Sequence, residues 1–333
     1  MDEDNIKFFS NIQIVRNVKK YPFVASMSED EKKELTQSVI KVVSDAGYKC
    51  QLLERPVLMA NRDYFNILYG FMMKDDYPVL HITGNKVLPA DIYVIMCRDD
   101  HLTFRVCLSR SQHFDEVYRE TAKVVECIGE SLPYQADLRY GYLSPSLERA
   151  GLGITLSSMI HGIGLKVIAD ERFVSQMKER GYRMDKLMMN DKEISFIRIA
   201  SERQYGLSED ELISEFSAGI GTFIDMENRE LIKFYNKNKQ RFDDKILRSF
   251  GILKFSKSLT FNEAFNMLDD ILTGLRLRIL EYSTAKLPKV TVCDLMLSIF
   301  DGVIAAQHFG KCDDIAECRA EIIKTYLKKV RES

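Results

Sequence analysis

The stretch YRMDKLMMNDKEISFIRIA, residues 182–200, decides the fold class. Apolar and polar side chains alternate on either side of Asn190-Asp191, a pair that favours turns. Tyr182–Met189 and Glu193–Ala200 therefore read as the two strands of a hairpin. A second hairpin lies upstream, where Asp91–Cys97 and Leu102–Leu108 flank Arg98-Asp-Asp-His101. Further strands are expected at Ile12–Arg16, Leu52–Met59 and Val79–Ile82. Helices separate them. Ser28-Glu-Asp-Glu31 is a capping box opening a helix to about Asp45, with Leu35, Val39 and Val42 on one face and Gly47 ending it. Asp63–Met73 and Phe173–Arg180 read as shorter helices. Phe114, Val117, Tyr118, Thr121, Val125 and Ile128 recur at helical spacing. Gly141–Gly164 is a glycine-spotted stretch with no assigned element. Ser208-Glu-Asp-Glu211 caps a long helix, and Thr260-Phe-Asn-Glu263 caps one over Ala264–Leu280. Pro288 marks a break before two final helices. The pattern predicts an α+β region over residues 1–235 and an all-helical domain over 236–333.

Composition narrows the function. Lys and Arg total 47 against 49 Asp and Glu, a net charge of −2. No global basic field of the kind nucleic-acid binders carry is present, and no uncharged apolar run is long enough to span a membrane. The acidic start MDEDNIKFFS lacks the basic and apolar regions of a signal peptide, so a cytoplasmic location is expected. Seven irregularly spaced cysteines argue against a disulfide framework. Cys97, Cys107 and Cys127 sit among apolar neighbours as core thiols. His308, Cys312 and Cys318 form the one cluster with metal-like spacing, but no CxxC pair accompanies them, and no metal is expected. Walker A, GxGxxG, GxSxG and HExxH patterns are missing.

Five stretches, in order, carry a resemblance. Phe9-Ser-Asn-Ile-Gln-Ile-Val-Arg-Asn17, followed by Tyr21-Pro-Phe23, resembles an SSRIRLARN segment, and Asp99-Asp-His-Leu102 resembles NEEDHIRI. Gly141-Tyr-Leu-Ser144 through Gly151-Leu-Gly153 resembles GYLTSCPTNxGTGLRASV. Residues 199–209, IASERQYGLSE, resemble ISNxxxLGxSE, and residues 244–253, DKILRSFGIL, resemble DRVYRSYGVL. These are segments of the ATP:guanidino phosphotransferases, the last of them of the bacterial protein-arginine kinases. The resemblance implies a guanidino-kinase-like curved antiparallel sheet flanked by helices, followed by a helical part that mediates dimerisation. Leu268, Ile271, Leu272, Leu275 and Ile279 would be an interface or core stripe.

In that family five arginines hold the ATP phosphates, as suits a reaction catalysed by positioning and charge neutralisation. At the matching positions this chain has Asn11, Gln13, Thr103 and Thr155; only Arg183 matches. The base that orients the guanidinium is Asp99, a methylene shorter than the family's glutamate. Ser146 takes the place of the reactive cysteine and cannot supply a thiolate. Leu187, Met188 and Met189 replace the Gly-Glu-Gly of the catalytic loop and read as core packing on a strand, leaving Asp191 as the loop's one acidic residue. Arg319-Ala320 matches the end of the RDxxRA element for phosphoarginine, with Ile315-Ala316 replacing its leading pair; Arg319 is read as a solvated helix residue.

Asp99 and Asp100 are either remnant catalytic carboxylates or hairpin turn residues. Arg105 shares a strand face with Thr103. With Arg183, Arg198 and His101 it is a candidate for holding a nucleotide, and the alternative is solvated surface arginines. Whether Arg183 and Arg198 share a face depends on register. The resemblance thus implies a pseudokinase with a regulatory or partner-binding role in protein quality control, beside a zinc-binding activator protein or Clp machinery and as a homodimer. The alternative is an active kinase with a rebuilt site around Asp99, Arg105, Arg183 and Arg198, for which Mg-ATP would be the cofactor.

Overall fold

Strand β1 (Lys7–Arg16) lies inside the main sheet, and the other elements are arranged around it. The structure is a computed structural model describing residues 6–53, 77–84, 88, 90–110, 112–189, 192–203, 205–283, 290–307 and 314–332. The remaining sheet strands are β2 (Cys50–Leu52), β3 (Val79–Ile82), β4 (Ile92–Met96), β5 (Leu102–Leu108), β8 (Ile154–His161), β9 (Tyr182–Met189) and β10 (Lys192–Ser201). Two short strands between β5 and β8, β6 (Ala136–Asp137) and β7 (Gly141–Tyr142), pair separately. The order in the sheet is β2-β3-β4-β5-β1-β8-β10-β9, and every neighbouring pair is antiparallel.

Alternation along the strands separates two faces. Ile12, Ile14, Phe104, Val106, Leu156 and Ile199 point into one apolar cluster. There they meet helices α1 (Glu29–Asp45), α2 (Phe114–Ser131) and, after the shorter α3 (Ile163–Ile168) and α4 (Glu171–Glu179), the long α5 (Glu209–Lys237). Capping boxes at Ser28–Glu31 and Ser208–Glu211 start α1 and α5 as expected. A third at Thr260–Glu263 starts α7 (Phe261–Arg276), which follows α6 (Lys239–Phe255).

On the opposite face Phe9, Ile95, Met159 and Phe196 join a second cluster with Leu253, Leu268, Ile271 and Leu272 of α6 and α7. That cluster continues into α8 (Val292–Ser298) and, past α9 (Asp301–Gln307), into α10 (Ile315–Leu327). Strands β11 (Leu280–Tyr282) and β12 (Val330–Glu332) pair beside them. The C-terminal helices thus share a core with the sheet. Leu268, Ile271, Leu272 and Leu275 of the expected stripe are buried within the single chain.

A polar network also ties the helices to the sheet. Arg276 and Glu227 form an ion pair at 2.9 Å with both side chains at 1% exposure or less. Arg276 also donates to His161 Nδ1 at 2.8 Å. His161 therefore carries its proton on Nε2, from which it donates to Asp269 at 3.0 Å; Ser195 Oγ donates to the same carboxylate at 2.6 Å.

Several sequence expectations need correction. β8, in the glycine-spotted stretch, was not anticipated; its burial on both faces erases the alternation that marks a half-buried strand. β1 begins at Lys7, not Ile12, because Phe8–Asn11 are also buried on both sides. The helix expected to reach Leu280 ends at Arg276, with Arg278 at φ 58. The expected strand Leu52–Met59 is seen as Cys50–Leu52, its later residues lying outside the described set. The Asp63–Met73 helix and Pro288 also lie outside it. No helix among the described residues is long and apolar enough to cross a membrane.

Candidate functional site

The hairpin between β4 and β5 is held from the chain just past β1, by Asn17, Val18 and Pro22, and from Ser144. Asn17 Nδ2 donates to Asp100 Oδ1 at 2.7 Å and to Leu143 O at 3.0 Å. Its Oδ1 accepts from the His101 backbone N–H at 2.8 Å. Ser144 Oγ also donates to Asp100 Oδ1, at 2.7 Å. The Val18 N–H donates to His101 Nδ1 at 2.8 Å, and His101 Nε2 donates to Pro22 O at 2.7 Å. Burial lowers the imidazole pKa, in keeping with a neutral ring. Both of its nitrogens are used to join segments, so His101 has no nitrogen left for a ligand in this arrangement. Arg16 stacks on the Tyr142 ring at 3.5 Å and donates to Val15 O and Leu152 O. Gly153 permits this packing. At φ 62, a Cβ there would stand 2.7 Å from the Arg16 guanidinium and 2.8 Å from Val15 O.

The four neutral residues at family phosphate positions gather on one patch of the second sheet face. Gln13 pairs with Thr155 on β8 and with Arg105 on β5; Val15 pairs with Thr103; Asn11 lies two residues along from Gln13. The register thus makes the four residues neighbours on adjoining strands. None of the four carries a charge, so the patch itself offers no guanidinium except Arg105.

Register also answers the question of Arg183 and Arg198. Arg198 pairs with Asp185, and Ala200 pairs with Arg183, so both arginines lie on one face. That is the face of Arg105, because Arg198 pairs with Met159 and Met159 with Phe9 in the row parallel to Gln13. At an irregularity β10 advances four positions, Glu193 to Ile197, while β9 advances two, Met188 to Lys186. It brings Asp185, not Arg183, opposite Arg198. The Asp185 carboxylate then bridges Arg183 Nε at 3.2 Å and Arg198 Nε at 3.0 Å.

Two arginines that motif reading overlooked complete the group. Arg98 Nε is 3.7 Å and Arg149 Nη1 3.9 Å from the Asp99 carboxylate, and Arg149 Nε is 2.8 Å from Asp100. Arg98 also lies over the Tyr77 ring. Arg98 stands at the first glutamate of the EED pattern and Arg149 at the asparagine of the glycine-rich segment. A signal was available: each is a charge change within a quoted motif. Arg105 makes no ion pair among the described residues, and its Nε is buried there without a hydrogen-bond partner. Burial, then the charges of Arg198, Arg98, Arg149 and Arg183, pull its pKa down to about 9.

The other expected residues lie apart from this group or outside the described set. The Ser146 backbone N–H accepts no role in the sheet face; it donates to Ser144 Oγ, and the Ser146 carbonyl accepts from Arg149 and Ala150. Asp191, His308 and Cys312 fall outside the described residues. Cys318 is disulfide-bonded, and no cluster of metal-ligating side chains occurs among the described residues. Leu187 and Met189 pack against the second core as expected, but Met188 is exposed. Arg319 is not solvated: it is 2% exposed, donates to Ile299 O and Leu259 O, and pairs with Asp301.

Comparison with known proteins agrees with the motifs. Residues 4–230 match the family of the ATP:guanido phosphotransferase C-terminal catalytic domain, and residues 239–333 match the protein-arginine kinase McsB C-terminal domain. Similar curated proteins include a protein-arginine kinase of Clostridium acetobutylicum, 26% identical over 289 residues covering 84% of each chain. Another is that of Clostridium tetani, 22% identical over 98% of this chain and 97% of its own. The fold is shared with a lombricine kinase, at TM-score 0.54 and 14% identity over 68% of this chain and 67% of that one. A two-faced antiparallel sheet, welded by Asn17, Asp100 and His101 and matched along nearly its whole length, places this chain in the ATP:guanido phosphotransferase family, with the C-terminal region of the protein-arginine kinases.

Proposed function

We propose that the chain is a catalytically impaired protein-arginine-kinase-like protein, acting in the cytoplasm through binding and regulation. The observation that carries this reading is the neutral patch of Asn11, Gln13, Thr103 and Thr155 on adjoining strands. Each hydrogen bond to a charged group contributes about 1.5–3 kcal/mol, so losing even two weakens nucleotide binding by the family's route ~100-fold. Asp99 supports the reading too: its carboxylate faces Arg98 and Arg149 of the chain itself. A partner-binding role in protein quality control, with a zinc-binding activator or Clp machinery and as a homodimer, is the regulatory function this reading entails. The test is phosphoarginine formation on a protein substrate with Mg-ATP, read by phosphorus NMR. No product above background is expected; turnover comparable with an active protein-arginine kinase assayed alongside sinks the proposal.

A second reading is favoured by the common face of Arg105, Arg183 and Arg198: an active kinase that transfers phosphate to protein arginine through a rebuilt site. It requires that Asp99→Asn and Arg183→Ala each abolish turnover. Activity retained in both removes that mechanism.

A further inference from the structure

We propose that the sheet face bearing Arg105 binds a phosphoryl anion through Arg98, Arg105, Arg149, Arg183 and Arg198, four of which lie off the family's phosphate positions. The chain carries neutral residues at 11, 13, 103 and 155 and arginine at 98, 105, 149, 183 and 198. Three of the five share a sheet face by register. The other two reach it from the β4–β5 turn and the loop before β8, beside Asp99 and Asp100.

Charge is under-compensated at this place. Asp185 is shared by Arg183 and Arg198, and Asp99 by Arg98 and Arg149. Of the five arginines, Asp100 pairs with Arg149 alone. Among the described residues, five guanidiniums against three carboxylates leave a surplus of two positive charges. Arg105 has no carboxylate partner among the described residues, and its Nε is sealed from water with nothing to receive its proton. A half-buried guanidinium with no carboxylate partner among the described residues pays a desolvation cost, and a ligand of matching charge reduces it. A carboxylate brings one negative charge and leaves a surplus; a phosphate or diphosphate brings two or more, with oxygens arranged for planar guanidinium forks. The inference deepens the impaired-kinase reading and rests on it in one respect, that the anion is held rather than transferred.

The experiment is calorimetric titration of the full chain with inorganic pyrophosphate at constant ionic strength. Saturable binding is expected, weakened ~10-fold or more by Arg105→Gln and by Arg198→Gln. Arg248→Gln, in an exposed pair with Asp244 on α6, should bind as wild type. Arg198 is partly exposed at its sheet position, so its variant reports even where Arg105→Gln fails to fold. ATP binding more tightly than pyrophosphate identifies a nucleotide as the source of the phosphoryl group, and equal binding identifies the phosphate chain alone. No binding at millimolar pyrophosphate, or wild-type affinity in folded Arg198→Gln, overturns the inference. Phosphoarginine assayed in the same samples separates the two proposals: turnover with binding defeats only the impairment, and neither turnover nor binding defeats only the anion site.

Discussion

Replacing Arg105 by methionine should make the ligand-free protein more stable, although it removes a half-buried side chain of the cleft. The guanidinium pKa falls from an ordinary value of roughly 12.5 to about 9. Burial is the leading cause, followed by four neighbouring arginines. Each decade corresponds to about 1.4 kcal/mol, so holding this charge costs the folded state at most ~5 kcal/mol. Relaxation reduces what a substitution recovers, and exchanging buried ions for apolar side chains of similar volume typically gains about 1–4 kcal/mol. The sign with pH follows from linkage. Below pH 9 the arginine is charged in both folded and unfolded chains, and the full cost is present. Above pH 9 the folded chain releases the proton while the unfolded chain keeps it, so the wild type gains stability up to the ordinary guanidinium value. The advantage of Arg105→Met over wild type should therefore be constant from pH 7 to 8 and shrink by about 1.4 kcal/mol per unit above 9. Urea unfolding of both proteins at pH 7, 8 and 10 measures it. A variant less stable than wild type at pH 7, or an advantage that does not change between pH 8 and 10, refutes the reasoning. Pyrophosphate should cut the variant's advantage, since a ligand at a hundred times its Kd stabilises the wild type by about 2.7 kcal/mol and leaves the non-binding variant where it was.

Three further outcomes follow from the interior. Asp100→Ala removes the acceptor for Asn17 and Ser144 and leaves Arg149 without its nearest carboxylate; a loss of about 3–5 kcal/mol in urea unfolding is expected, and a loss under 1 kcal/mol would show that Asp100 does not anchor the hairpin. Arg276→Met strands Glu227, which is 0% exposed, and should also cost about 3–5 kcal/mol, with parallel loss of helical and sheet signals because the pair joins α7 to α5. Burial pushes the Cys107 and Cys293 thiols up to about 12, so iodoacetamide at pH 8 should leave both unmodified in the folded protein and label them only after unfolding; modification of either under native conditions contradicts the burial.

What the sequence disclosed depended on how local the signal was. The capping boxes at Ser28, Ser208 and Thr260 were legible because the residues that satisfy the first free amides are three apart in the chain. A fourth, Thr291–Asp294, has the same logic with aspartate in place of glutamate, and so escaped the pattern. The hairpins at 91–108 and 182–201 were legible from period-two alternation. β8 was not, because its neighbours on both faces bury it and only its glycines stood out. Arg319 was read as solvated from its type alone, yet Ala320 beside it and Ile323 one turn on are both fully buried, which marks the inward face of α10.

The candidate site was half legible for a related reason. Motif matching identifies what is missing at fixed positions, and it singled out four neutral residues that the register makes neighbours. It does not search for replacements elsewhere, so Arg98 and Arg149, each within a segment already quoted, were passed over. The register of β9 against β10 could not be read from the turn. Continued from the pairing of Lys192 with Met189, an unbroken ladder would set Arg198 opposite Arg183, two like charges facing each other. The irregularity after Glu193 instead sets Asp185 between them. Two residues accommodated in one strand thus convert a repulsion into a shared carboxylate. They leave both arginines on the face where Arg105 stands unpaired, which is why the displaced group can exist without disrupting the sheet that holds it.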